Sequence, residues 1–224
     1  MTQQKSIKFN PNIWFPPRNI LYHYARKEQE LGNELKTGKY KVIRESRSVA
    51  LMLLGIMKIQ ERDYWLQLVN PKEQTPDIRT ATKEKRPGKS DWLYTQDVEV
   101  VTLNSFSNVD VDDFIKKTKL SGRYAYPNDT TILCHIDKTT NTKPWNDIHK
   151  SLSEVADKHD VFLLAKVNPN ALIYQIAKIH PTVDILTTFN ALEEATLLGP
   201  KKVMRVIRGS KDYSFDEGMN RLPF

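Results

Sequence analysis

The apolar positions along this chain fall into two kinds of run. Between residues 44 and 66 they return every three or four positions. Val49, Met52, Leu53, Ile56 and Ile59 form one stripe, and Glu45 stands four residues before Val49 at its N-terminal end. That spacing predicts an amphipathic helix. "TTILCHI" at 130–136 and "VFLLAKV" at 161–167 are instead nearly continuous apolar runs. Such runs suit strands buried on both faces of a partly parallel sheet. "DIRTAT", starting at Asp77, and a longer segment from Trp92 to Leu103 flank a basic turn and predict a β-hairpin.

Weaker patterns complete the order. "SNVDVDDFIKKTK" predicts a helix capped by Asn108 or Asp110, with Val111, Phe114, Ile115 and Thr118 as its apolar stripe. Trp145, Ile148, Leu152 and Val155 predict a helix between the two continuous runs, which makes a strand–helix–strand unit. A helix is expected over 171–179, a short strand near "VDILT", and a helix over 189–198 closed by Gly199-Pro200. "VMRVIR" is expected as a last, edge-type strand. The order helix, hairpin, helix, strand, helix, strand predicts an α/β sandwich around a mixed sheet. Residues 1–40, which include "NIWFPPRN" and "ILYHYARKEQELGNEL", read as an N-terminal extension to a single α/β domain over 41–224.

Composition narrows the function classes. A length of 224 residues suits one large domain, or one domain with an extension. No apolar run reaches the roughly 18 residues of a membrane span, and "MTQQKSIKFN" lacks the apolar core of a secretory signal. The single cysteine, Cys134, permits no internal disulfide and is expected as a small buried hydrophobe. The expectation is a soluble, cytoplasmic protein with no membrane partner. No G-x-G-x-x-G or G-x-x-x-x-G-K-[ST] phosphate loop occurs among the 8 glycines, and there is no G-x-S-x-G elbow. The five histidines lack metal-ligand spacing. Net charge is +7 and the sequence pI is about 9.3, which favours a polyanionic partner such as nucleic acid. Lys83, Lys85, Arg86 and Lys89 gather around one Pro-Gly turn, where they form either a phosphate grip or a solvated loop.

The candidate chemistry centres on "DVEVVT" at 97–102. In a strand, Asp97, Glu99 and Val101 share one face. A carboxylate among β-branched residues is costly to bury unless it is paired or binds a metal. Asp77 follows Pro76 at the start of the preceding strand, 22 positions before Glu99. Opposed positions on antiparallel strands bring Cβ atoms to about 5 Å. Two hard oxygen ligands on a rigid sheet suit Mg²⁺ or Mn²⁺, which keep waters for a substrate phosphate. Glu45, on the inward stripe of the preceding helix, adds a third carboxylate. Each acid alone has an ordinary alternative: Asp77 a turn residue, Glu99 a partner for Arg79 across the hairpin, Glu45 a charge favourable to its helix dipole.

Together, a helix glutamate, "PD" at 76–77 and "EVV" at 99–101 resemble the PD-(D/E)XK nuclease superfamily over roughly residues 44–137. The resemblance implies a restriction-endonuclease-like three-layer sandwich with a central mixed sheet and a core running α-β-β-β-α-β. It implies Asp77 as the PD aspartate, Glu99 as the second acid, the Val100 carbonyl as a further metal ligand, and Glu45 as the helix glutamate. The family's lysine is expected at 101, where this chain has valine. Candidates to replace it are Lys117 and Lys119 on the following helix and Arg79 on the strand of Asp77. Lys117 falls off the apolar stripe and Lys119 lies at its edge, and the pattern favours none of the three. Lys117 stands with Asp77, Glu99 and Glu45 as the candidate catalytic set, and Arg79, Lys83, Lys85, Arg86 and Lys89 as the candidate nucleic-acid contacts. The implied function is Mg²⁺-dependent hydrolysis of DNA, of restriction or mobile-element type. The alternative is a catalytically silent nuclease-like module that binds nucleic acid or a protein partner. A homodimer and a subunit of a larger complex both stay open.

Overall fold

A computed structural model describes residues 10–69, 76–84, 92–104, 109–121, 126–127, 129–137, 143–168, 171–208 and 212–216. Their elements, in chain order, are β1 (Ile13–Trp14), α1 (Pro17–Leu31), α2 (Lys41–Gln60), β2 (Tyr64–Leu68), β3 (Ile78–Glu84), β4 (Trp92–Asn104), α3 (Val111–Ile115), β5 (Thr131–Asp137), α4 (Trp145–Ser153), β6 (Val161–Lys166), β7 (Ile173–His180), β8 (Asp184–Asn190), α5 (Ala191–Leu197), β9 (Val203–Arg208) and β10 (Asp212–Asp216). The fold is mixed α/β. A curled seven-stranded sheet runs in the order β2-β3-β4-β5-β6-β7-β8, parallel at β4-β5-β6 and antiparallel elsewhere. Among the described residues no helix is long and apolar enough to cross a membrane.

Each face of this sheet has its own core. On one face, Val49, Leu53 and Met57 of α2 pack with Val98, Val100, Leu133 and Ile176, and α1 and α5 lie alongside. On the other, Val111 and Ile115 of α3 and Ile148 and Leu152 of α4 pack with Val101, Leu103, Ile132 and Ala177. Cys134 is buried in that second core. From Val98 to Leu103, alternation along β4 thus sends even-numbered residues toward α2 and odd-numbered ones toward α3.

Several expected elements are different in the structure. The long helix begins at Lys41 and stops at Gln60, where Glu61 turns left-handed (φ 50°) and its N–H closes on the Met57 carbonyl. Ile59 is 46% exposed rather than on the buried stripe. Residues 64–66, read as the end of that helix, belong to the strand β2. Its apolar letters continue the helical spacing, so only pairing with β3 exposes the break. The helix expected over 171–179 is not formed; Ile173–His180 are the strand β7. Tyr174 and Ile176 enter one core and Ala177 and Ile179 the other. A strand buried on both faces imitates the i, i+3, i+4 spacing of a helix. The helix at Trp145 ends at Ser153, which leaves Val155 outside it and 43% exposed. Finally, β9 is the middle strand of a second sheet, β1-β9-β10, and not an edge. Through β1, Ile13 and Trp14 of the expected N-terminal extension take part in this sheet, and Trp14 and Met204 pack with Trp65 and Leu93.

Gly55 shows how closely α2 lies on the sheet. A Cβ there falls 2.6 Å from Ile176 Cγ2 and 3.0 Å from Phe189 Cε1, both on buried side chains. Alanine favours a helix interior over glycine by about 1 kcal/mol. Gly55→Ala is nevertheless expected to lower stability by about 1–2 kcal/mol, because the buried neighbours have no room to yield. Urea unfolding of the variant checks this, and a gain in stability would contradict it.

Candidate functional site

The site arises where β4 outlasts β3. Trp92–Val98 pair with β3, whereas Val98–Asn104 pair with β5 on the other side. Because β3 starts only at Ile78, the edge of β4 beyond Val98 has no strand beside it among the described residues. Asp77, just before β3, closes that edge with its side chain: Asp77 Oδ2 accepts the Val100 N–H at 2.9 Å. At Val100 the recorded partner is therefore the N–H; the expected role was for its carbonyl. Glu99 points to the α3 side and is only 2% exposed.

Two lysines join the three acids. Lys119 Nζ lies 2.5 Å from Glu99 Oε2 and 3.2 Å from Asp77 Oδ2. Lys41 Nζ lies 3.1 Å from both Asp77 Oδ1 and Glu45 Oε1. Asp77 is the hub, because it sits at a strand start and can reach α2 on one side and the α3 segment on the other. Lys119 comes from a π-helical turn, Lys116–Leu120, that continues α3. A π turn holds more residues than an α turn, so each residue advances less around the axis. Lys119 is set against the two acids, whereas Lys117 is exposed.

Burial and neighbouring charge set the protonation of the group. Burial, then the adjacent Asp77 charge, push Glu99 up to about 7 against the pull of Lys119. Burial and Asp77 likewise raise Glu45 to about 7, opposed by Lys41. Burial pushes Asp77 up as well, but Lys119, the Val100 N–H and Lys41 outweigh it and hold its carboxyl below the usual range. Burial lowers Lys119, and the two carboxylates more than reverse this, so it stays charged. The cluster thus holds one firmly ionised acid and two poised near neutrality.

The other expected residues lie elsewhere. Arg79 is directly opposite Asp97 and bonds it at 3.0 Å, so it does not partner Glu99. Lys117 is exposed. Lys83 Nζ sits 5.7 Å above the Trp65 ring. Lys85, Arg86 and Lys89 lie outside the described residues. One participant was not singled out from sequence: Lys41, a helix-start lysine with no motif. The Tyr126 ring also lies 5.7 Å from Lys119 Nζ. A tyrosine in a loop gives no sign of its neighbour in advance.

The donor chemistry fits a hard divalent cation. All three acids offer oxygens, and among the described residues Glu99 Oε1 is buried with no hydrogen-bond partner. An unsatisfied buried carboxylate oxygen is costly and is what a cation would relieve. Among the described residues no three His, Cys, Asp or Glu side chains form a ready-made metal cage, but Mg²⁺ needs only one or two protein carboxylates with waters. Comparison with family models, with curated proteins and with solved structures found no match.

Proposed function

We propose that this chain is a divalent-metal-dependent nuclease of the PD-(D/E)XK type, with a restriction-endonuclease-like core, whose lysine has moved from β4 to the segment after α3. The observation that carries the reading is the contact of Lys119 Nζ with both Asp77 and Glu99. The run α2-β2-β3-β4-α3-β5 supports it, because it has the α-β-β-β-α-β order that the motif implies. The valine is also accounted for. Val101 shares the face of Glu99 but is buried in the apolar core with Val111 and Ile115, where an ammonium group would be costly.

Asp77 and Glu99, with the Val100 carbonyl, would hold Mg²⁺ or Mn²⁺, and Glu45 would assist from α2. The cation would neutralise phosphodiester charge and make its bound water more acidic. Asp77 is held in place by the Val100 N–H. Lys119, fixed by both acids, presents a permanent positive charge to the reacting phosphate. Glu45, poised near 7, has the pKa that suits a group taking a proton at neutral pH. Net charge +7 favours a polyanionic substrate, and we assign DNA.

The test is nicking of supercoiled plasmid with Mg²⁺ or Mn²⁺, with and without EDTA. Cutting is expected to need the metal and to vanish in Asp77→Asn and Glu99→Gln. Metal-dependent cutting that persists in both variants would sink the assignment. The two lysines also fit a second reading, a silent nucleic-acid-binding module whose acids are permanently neutralised. That module would nick nothing at any metal concentration. Its DNA affinity would still fall steeply with salt through counterion release.

A further inference from the structure

The two lysines of the cluster differ in a way that separates their roles. Lys41 Nζ touches Asp77 Oδ1 and Glu45 Oε1, and its side chain is 57% exposed. Lys119 touches Asp77 Oδ2 and Glu99 Oε2, and its side chain is 11% exposed. The two oxygens of Asp77 are thus divided. Oδ2 is pinned by Lys119 and by the Val100 N–H, whereas among the described residues Oδ1 is held by Lys41.

On the nuclease reading above, we infer that Lys41 is a displaceable stand-in for the divalent cation. It bridges Asp77 to Glu45 while the cation is absent and swings into solvent when the cation binds; Lys119 stays. Charge supports the division. Three ionised carboxylates are balanced by one divalent ion and one ammonium, and a second ammonium would leave excess positive charge in a partly buried cluster. Position supports it too. Lys41 lies on the first turn of α2 with its stem in water, so its release costs little burial. Release of Lys119 would strand Glu99 in the core. The departure of Lys41 frees Asp77 Oδ1 and Glu45 Oε1, and these add to Glu99 Oε1, which already has no partner. Lys41 therefore sets a threshold: the site assembles its cation only where the ion competes successfully with a tethered ammonium.

Mn²⁺ binding to the full chain, followed by calorimetry or by the paramagnetic signal of the free ion, tests this. Lys41→Met is expected to bind Mn²⁺ about tenfold more tightly, as loss of one charge at contact distance near a surface allows. Lys41→Arg, which keeps the charge, is expected to bind like the wild type. In the wild type, acetylation of Lys41 by an amine reagent should rise on addition of Mg²⁺, while Lys119 stays protected. Equal Mn²⁺ affinity in Lys41→Met and wild type, or labelling of Lys41 that ignores Mg²⁺, overturns the inference and leaves the nuclease reading standing. Absence of Mn²⁺ binding in both proteins overturns the nuclease reading and the inference with it.

Discussion

Lys119→Met is expected to reduce metal-dependent plasmid cleavage by roughly a thousandfold, the scale on which removal of one preorganised electrostatic stabiliser acts. The same change should lower stability at pH 8 by about 3 kcal/mol, because breaking a buried ion pair strands the remaining charge. Glu99 is the group left without a partner, since its side chain is 3% exposed and its other oxygen already has none. The stability loss should shrink toward pH 5. Without Lys119 the Glu99 carboxyl is pushed above its present value of about 7, so it takes up a proton and is then neutral in the core. The folded state binds that proton more readily than the unfolded state, so the penalty is absent at low pH and complete above the folded pKa. Plasmid nicking and urea unfolding at pH 5 and 8 measure both effects. Full cleavage by the variant would remove Lys119 from the mechanism, whatever its stability. Lys117→Met, an exposed change, is the matched control and should leave unfolding unaltered.

The second large effect has the opposite sign. Glu45→Gln is expected to stabilise the protein by about 2 kcal/mol at pH 8 while reducing cleavage. Glu45 is buried, and its carboxyl is raised from 4.5 to about 7 by burial and by Asp77. Between those two values the folded state holds a proton that the unfolded state has lost, so rising pH costs stability across this window. Each pKa unit corresponds to about 1.4 kcal/mol, and the exposed Lys41 returns little when Glu45 ionises. Glutamine keeps the shape without the charge. Its advantage should be absent near pH 4.5 and complete above about pH 7. Unfolding by urea across this range reads the trend. Equal stability of variant and wild type at pH 8 would show that Glu45 is not strained in the folded protein. A gain in stability with a loss of activity is what a functional site imposes, since it keeps charges together for chemistry at the expense of the fold.

Expectation and structure diverge for identifiable reasons. Elements whose apolar pattern has one interpretation lie close to where the sequence places them. The hairpin strands β3 and β4, the continuous runs β5 and β6, and the body of α2 are examples. Those that diverge carry patterns with two interpretations. β2 extends the apolar spacing of α2, and β7 is apolar on both faces, so helix and strand fit the letters equally. Neighbouring strands decide such cases by supplying the backbone hydrogen bonds. β9 reads as an edge because its partners, Ile13–Trp14 and Asp212–Asp216, are remote or short.

The candidate site divides along the same line. The sequence by itself drew attention to the three acids, because a buried glutamate in a β-branched strand demands company, and the structure joins them through two shared lysines. The sequence also determined that residue 101 brings no positive charge. Which cations meet the acids was decided by tertiary structure alone. Arg79, the nearest cation along the chain, is taken by Asp97 directly opposite it. Lys117 and Lys119 lie on the same turn after α3, and the structure sets Lys119 against the two acids and leaves Lys117 exposed. Lys41 enters because Asp77 stands at the end of a strand, where one carboxylate can touch both layers of the sandwich. The alternation along β4 is local and can be read from letters. The meeting of an ammonium group with a carboxylate across 36 or 42 positions of chain depends on how the layers pack.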